Sequence, residues 1–161
     1  MIRFAFAAAL WLALPAFAYA NTSHKGWPKI NGDLKMHKQD QSGELRATKR
    51  FKHNELLGGH GNDVIIAGQV GDVIWGDYKP SGQPESQSDQ LIGGPRKDFI
   101  YASHGYNLIR TNGGNDQVHA HFGRGEIFCG KGKPTIFLSH RGRPGWKLHN
   151  CHRISYKTGN G

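Results

Sequence analysis

The stretch that decides the fold reads Gly58-Gly59-His60-Gly61-Asn62-Asp63-Val64-Ile65-Ile66. Its sixth residue is an acid, Asp63, and a branched apolar residue, Ile65, follows two positions later. That apolar position returns every nine residues, apart from one 17-residue step after Ile74. The members of the series are Ile65, Ile74, Leu91, Ile100, Ile109, Val118, Ile127 and Ile136. A period held in register over about eight units predicts a fold in which each unit stacks on its neighbours.

An acid lies two residues before most of these apolar positions. The series runs Asp63, Asp72, Asp89, Asp98, Asn107, Asp116, Gly125 and Pro134. The glycines ahead of the acid permit a tight turn, and the residues after it form a short strand whose middle side chain points inward. Two units make one coil, so every second unit stacks at roughly 4.8 Å. The sequence therefore predicts an all-β protein, a parallel β-roll or β-solenoid, with a thin core of Ile, Leu and Val.

The segment from Leu56 to Phe137 resembles the hemolysin-type, or RTX-like, calcium-binding nonapeptide-repeat family. Residues 58–66 match every fixed position of the G-G-x-G-x-D-x-U-x pattern. The resemblance implies that calcium lies between a turn and the turn stacked on it, held by the motif acids and by carbonyls at glycine positions. One side of the roll would stack Asp63, Asp89, Asn107 and Gly125, and the other Asp72, Asp98, Asp116 and Pro134.

The resemblance also implies a set of calcium ligands. They are Asp63, Asp72, Asp89, Asp98, Asp116, Asn107, Gly59 and Gly61. The best acid pairs are Asp63 with Asp89, Asp72 with Asp98, and Asp98 with Asp116. Several turns lack motif glycines, and Arg96 and Lys97 place positive charge beside Asp98. We therefore expect a few calcium ions, with packing holding the later turns.

The 17-residue step contains an insertion near residues 78–88. Its Pro, Gly, Ser and Gln content is typical of a surface loop that leaves the coil and returns in register. Solenoids accept such insertions readily. The alternative is that Asp77 and Glu85 add ligands to a neighbouring calcium.

The two ends of the chain predict export and capping. Residues 1–20 have the features of a secretory signal peptide, with Arg3, an apolar stretch and Ala18-Tyr19-Ala20 as the cleavage site. We expect an N-terminal cap over 21–55, the roll over 56–137 and a C-terminal cap over 138–161. No later segment could cross a bilayer. The protein is expected to be a secreted, extracellular monomer, with association to the cell surface as an option.

Cys129 and Cys151 are the two cysteines of the chain. An oxidising compartment would join them in a disulfide that ties the C-terminal cap across the last coil. Free thiols or a metal pair are the alternatives.

The net charge of +9 is unexpected for a calcium-binding protein. The bases concentrate in the segments 35–52 and 131–157, which favours contact with an anionic cell-envelope polymer or polysaccharide. A solvated basic surface without a partner is the alternative. Nothing resembles a module that reads nucleic-acid sequence.

Histidines and aromatic residues add two further patterns. His119-Ala120-His121 is the tightest pair among the ten histidines, and ordinary turn and strand histidines are favoured over a transition-metal site. An outward stripe reads Trp75, Tyr101, His119 and Phe137. These rings either shield a strand face from water or stack on sugars.

Two classes of function follow from these patterns. The first is a non-enzymatic calcium-binding β-roll. No nucleophile, base and orienting acid stand in a recognisable arrangement, so we expect no catalytic residues. The second is a carbohydrate-active or polyanion-binding extracellular β-solenoid, since such solenoids often carry sugar chemistry on one face.

Overall fold

The computed structural model describes residues 26–38, 40–77 and 82–157. These residues form a parallel β-solenoid of about six turns, which confirms the fold predicted from the repeat. The predicted signal peptide at 1–20 and residues 78–81 of the insertion lie outside the described residues. No helix in the described ranges is long and apolar enough to span a membrane.

Successive strands alternate between two parallel sheets. The strands are β1 (Leu34–Met36), β2 (Gly43–Arg46), β3 (Glu55–Leu57), β4 (Asp63–Ile66), β5 (Val73–Trp75), β6 (Ser88–Ile92), β7 (Phe99–Tyr101), β8 (Tyr106–Arg110), β9 (Gln117–Ala120), β10 (Arg124–Phe128), β11 (Thr135–Leu138), β12 (Trp146–His149) and β13 (Arg153–Ser155). The odd-numbered strands form the first sheet, and the even-numbered strands form the second. Each coil therefore contributes one strand to each sheet.

The core consists of two columns of inward side chains, one from each sheet. The first sheet stacks Leu56, Ile74, Ile100, Val118 and Ile136. The second sheet stacks Leu45, Ile65, Leu91, Ile109, Ile127 and Leu148. All of these from Leu56 to Ile136 are fully buried. Burial of each such side chain contributes roughly 1.5–3 kcal/mol, so the nine-residue period is the source of the core.

The terminal segments extend the same solenoid. Strands β1 and β2 lie within the segment 21–55, and β12 and β13 lie within 138–161, so each proposed cap includes strands of the roll. Lys35 takes the inward position of β1, where its Nζ lies 3.3 Å from Asp33 and 3.0 Å from Thr48 Oγ1. An inward charge at the end of a column discourages pairing with another sheet edge.

A disulfide joins Cys129 and Cys151, as the sequence predicts. Cys129 follows β10 and is buried, whereas Cys151 precedes β13. The bond therefore connects the last two coils of the roll.

The loops on the two sides of the roll form two edges. The basic edge consists of the loops from the second sheet to the first, at 47–54, 67–72, 93–98, 111–116, 129–134 and 150–152. The insertion edge consists of the loops from the first sheet to the second, together with the acids in the strands that follow them. These loops start at residues 37, 58, 76, 102, 121 and 139.

Candidate calcium sites

Stacked acids form a hydrogen-bonded column along the basic edge. The N–H of Asp72 donates to Asp98 Oδ1 at 2.7 Å, and the N–H of Asp98 donates to Asp116 Oδ1 at 2.8 Å. The second oxygens of Asp72 and Asp98 turn into their own loops, where Asp72 Oδ2 accepts from Gly68 N–H and Asp98 Oδ2 accepts from Gly94 N–H. The carboxyl groups of Asp72 and Asp98 thus each join their own turn to the preceding coil.

Burial makes these stacked carboxyl groups difficult to ionise. Burial, with smaller contributions from the charges of Asp116 and Asp72, raises the pKa of Asp98 to about 8. Burial also raises the pKa of Asp116 to about 7, and it raises the pKa of Asp72. Since a buried charge needs compensation, a cation between the turns would stabilise the ionised form of all three.

The insertion edge carries a shorter column. The N–H of Asp63 donates to Asp89 Oδ1 at 2.8 Å, and His37 Nδ1 lies 2.9 Å from Asp63 Oδ1. Burial raises the pKa of Asp89 to about 7 and raises the pKa of Asp63, whose neighbour His37 opposes the shift. One acid pair is therefore present on this edge, next to a histidine.

Carboxylate and carbonyl oxygens converge beside the glycines of both edges. A Cβ added to Gly58 would lie 2.6 Å from the carbonyl oxygen of Gly76 and 2.7 Å from Asp63 Oδ2. A Cβ added to Gly93 would lie 2.9 Å from both Asp98 Oδ2 and the carbonyl oxygen of Thr111. Each glycine thus leaves space where oxygens of two stacked turns meet.

Some of these oxygens are incompletely paired. In the part of the chain that the structure describes, Asp63 Oδ2, Asp89 Oδ2 and Asp116 Oδ2 are buried and make no well-formed hydrogen bond, although the hydroxyls of Ser103 and Thr111 lie near Asp89 and Asp116 and lower their pKa values. Within the described residues, no three His, Cys, Asp or Glu side chains lie close enough to hold a metal by themselves. A cation here would take carbonyl oxygens as well as carboxylates, which is the donor set that calcium prefers. The residues present therefore fit calcium.

The RTX calcium-binding nonapeptide repeat matches residues 52–74 and 87–127 in four copies. This part of the chain, which is less than half of its residues, is similar to the RTX repeat family. Nothing among the curated proteins or the solved structures matches the chain. The RTX family implies calcium binding, and its repeats cover the three acid pairs of the two edges.

Later RTX turns are closed by protein groups. Asn107 Oδ1 accepts from Ser103 N–H at 3.0 Å, and Asn107 Nδ2 donates to the Ser103 carbonyl at 3.0 Å. On the basic edge, Asn112 Nδ2 donates to the Gly93 carbonyl at 2.8 Å. Gly125 and Pro134 occupy the next acid positions and supply no carboxylate. Asn107 therefore belongs to a turn whose polar groups are already paired.

The two glycines predicted as ligands shape the first RTX turn. Gly59 and Gly61 have φ of 85° and 124°, in the region that side chains other than glycine rarely adopt. Their conformation explains why the motif needs glycine at these positions. As calcium ligands they remain predictions, like the acids.

Asp77 connects the insertion to the next coil. Its Oδ1 accepts from Gln87 Nε2, and its Oδ2 accepts from the N–H of His104 at 2.8 Å. The charge of Asp77 raises the pKa of both Asp63 and Asp89, so it lies near their pair. Glu85 is exposed. Asp77 holds the insertion against the roll, and its role as a calcium ligand stays a prediction.

Three residues of the columns were not identified from the sequence. Asn54 precedes Asp72 on the basic edge and donates its N–H to Asp72 Oδ1 at 2.6 Å. It lies nine residues before Asp63, so the period contained the signal. Asp33 precedes Asn54, outside the period. Burial raises the pKa of Asp33, but hydrogen bonds led by Lys49 N–H lower it to about 2. The third is His37, the partner of Asp63.

The outward aromatic residues form a stacked ladder on the first sheet. Ring centroids are 3.9 Å apart for Trp75 and Tyr101, 4.5 Å for Tyr101 and His119, and 4.8 Å for His119 and Phe137. Trp27 packs edge-on against Trp75 and donates its Nε1–H to Tyr101 Oη at 2.9 Å. Because the rings cover one another's faces, the ladder favours shielding of the sheet over sugar stacking.

Proposed function

We propose that the protein is an exported, non-enzymatic calcium-binding β-roll in which calcium between stacked turns stabilises the fold. The supporting observation is the stacking of buried acids in three pairs, namely Asp63 with Asp89, Asp72 with Asp98, and Asp98 with Asp116. Buried carboxyl groups with raised pKa values would repel one another when ionised. A bound divalent cation would remove that repulsion.

The protein's own groups would provide the remaining ligands. Carbonyl oxygens such as those of Gly76 and Thr111 face the same spaces as the acids. Each acid also accepts backbone N–H groups, which would keep its side chain oriented before calcium arrives. The acids have this structural use, so we assign them no catalytic role.

Export is the second part of the proposal. The Cys129–Cys151 disulfide supports it, because such bonds persist mainly in oxidising compartments. The signal-like composition of residues 1–20 supports it as well. Sequencing of the secreted protein should give Asn21 as the first residue, and retention of residues 1–20 in secreted material would contradict the proposed cleavage.

Calcium-dependent melting of the mature chain tests the calcium sites. With Kd values of about 10⁻⁴–10⁻³ M, calcium at about ten times Kd should stabilise the roll by about 1.4 kcal/mol for each site. Asp98→Asn affects two pairs and should remove about 3 kcal/mol of this increment. Asp63→Asn affects one pair and should remove about 1.4 kcal/mol.

Each variant is compared with itself in chelator, so that changes in the calcium-free fold cancel. Glu85→Gln is the matched control because Glu85 is an exposed carboxylate. Identical melting in chelator and in calcium would refute the proposal. An equal loss of the increment in Glu85→Gln and Asp98→Asn would refute the assignment of the sites.

A further inference from the structure

The basic edge carries an unbalanced surface charge. Its exposed bases are Lys49, Arg50, Lys52, Arg96, Lys97, Lys131 and Lys133. Its acids are Asp72, Asp98 and Asp116, each no more than 1% exposed. The acids that lie on this edge are therefore enclosed within the turns, and the surface that solvent reaches is cationic.

A groove of about 830 Å³ runs beside the same edge. It passes from Arg46 and Arg50 over Gly68, Gly94 and Gly113 to Lys131, so it crosses five successive loops. At roughly 4.8 Å for each coil, this path is about 20 Å long. The floor presents backbone because its glycines pack against the backbone of the neighbouring coil, and the cationic residues lie at its two ends.

The shape and charge of the groove fit an extended anionic polymer. Its lining includes no aromatic side chain, whereas proteins that bind single-stranded nucleic acid stack bases on aromatic rings. The amides of Gln69 and Asn112 and the exposed guanidinium and ammonium groups suit hydroxyl and carboxylate groups instead. These features favour an acidic sugar chain over a nucleic acid.

We propose that the groove of the basic edge binds an acidic polysaccharide, with Arg50 and Lys131 contacting its carboxylates. The charged groups of this site, Arg50 and Lys131, are not among the proposed calcium ligands, and the Oδ2 atoms of Asp72 and Asp98 turn away from the groove into the loops. The two proposals can therefore fail independently.

The test measures binding of the mature protein, in calcium, to immobilised polygalacturonate at 50–200 mM salt. Arg50→Gln/Lys131→Gln removes two charges from the groove. Arg46 is left unchanged because its guanidinium already pairs with Glu44 at 3.0 Å. Lys38→Gln/Arg141→Gln removes two exposed charges from the insertion edge and serves as the matched control.

We expect the groove variant to lose affinity on the order of tenfold at 50 mM salt, with a salt slope smaller by about two. The control variant should keep most of its affinity. Its calcium-dependent melting, and that of the groove variant, should equal that of the parent protein, which shows that the fold and calcium sites are intact.

Three results would overturn the proposal. They are no retention on polygalacturonate at 50 mM salt, an equal loss in the groove and control variants, and tighter binding to single-stranded or duplex DNA than to polygalacturonate. Any of these with normal calcium-dependent melting would leave the calcium proposal in place.

Discussion

The basic edge and the insertion edge come from the same repeat but compensate their buried acids differently. The basic edge stacks Asp72, Asp98 and Asp116 in three successive coils, and the charges of His53 and Lys97 only partly offset the raised pKa values of Asp72 and Asp116. The insertion edge stacks only Asp63 and Asp89, and then replaces the carboxylate by the amide of Asn107. His37 contacts the first acid of that column. The basic edge therefore depends more strongly on a bound cation.

A basic protein can carry acidic sites when its acids are buried and its bases are exposed. Exposed bases and buried acids share the basic edge, and their separation by burial keeps the surface cationic while the turns remain anionic when ionised. Net charge describes the surface that a partner meets. Calcium sites depend instead on which oxygens the turns enclose.

The largest expected effect is that of pH on the calcium-free protein. The folded-state pKa is about 8 for Asp98 and about 7 for Asp89 and Asp116, above the value of about 3.9 in unfolded chains. At these three acids the folded state thus binds more protons, so their contribution to stability is greatest below pH 4 and is lost as pH rises through 7 to 8. In chelator, melting at pH 8 should occur at a lower temperature than melting at pH 5.

Calcium should reverse this trend, because binding requires ionised carboxylates. The difference in melting temperature between calcium and chelator should therefore widen towards pH 8. Asp98→Asn should flatten the pH dependence in chelator more than Asp89→Asn, because the pKa of Asp98 is raised further. Greater calcium-free stability at pH 8 than at pH 5 would contradict the description of both edges.

Removal of the disulfide should have the next largest effect, and it acts on the basic edge. The two cysteines are 22 residues apart, and closing a loop of that size stabilises a fold by about 3 kcal/mol. Cys129→Ser/Cys151→Ser should lower the free energy of unfolding by about that amount in chemical denaturation. The calcium increment should persist, because the acid pairs lie in earlier coils. Loss of the stabilisation by calcium would show that the disulfide and the calcium sites are coupled.

The smallest expected effect comes from making the insertion edge resemble the basic edge. Asn107→Asp places a third carboxylate beside Asp89 and should create a further calcium site worth about 1.4 kcal/mol at ten times Kd. In chelator the same variant should be less stable, because it loses the hydrogen bond from the Asn107 side-chain amide to the Ser103 carbonyl and gains a buried charge.

Asn115→Asp is the control for this change, since Asn115 is an exposed amide on the basic edge. Calorimetric titration should find an added calcium only in Asn107→Asp. An unchanged stoichiometry would mean that acid stacking alone does not create a site in these turns.

Much of the fold follows from the sequence, because its period sets the inward column directly. Leu91 and Ile109 are two nine-residue units apart and meet in one column only when two units form a coil, and the structure has this arrangement. The terminal coils were harder to predict. Asp33 and Lys35 lie in register with Asn54 and Leu56 but outside the nine-residue spacing.

The site was predictable in its stacking order but not in its electrostatics. The alternation of edges follows from chain order, so Asp98 must lie between Asp72 and Asp116. Which acids have protein partners does not follow from spacing, because Asp77 meets Gln87 across the insertion, and His37 meets Asp63 from a neighbouring coil.

By itself, the sequence determined the repeat, the two inward columns and the order of the acids on each edge, because these depend only on spacing along the chain. The tertiary structure decided which carboxylate oxygens stay unpaired and which loops line one groove. Those properties depend on contacts between residues of adjacent coils, such as the hydrogen bond between Asn112 and Gly93. The number of residues between two such partners differs from coil to coil, because the loops differ in length. Burial by these contacts, which the period does not encode, raises the pKa values of the acids.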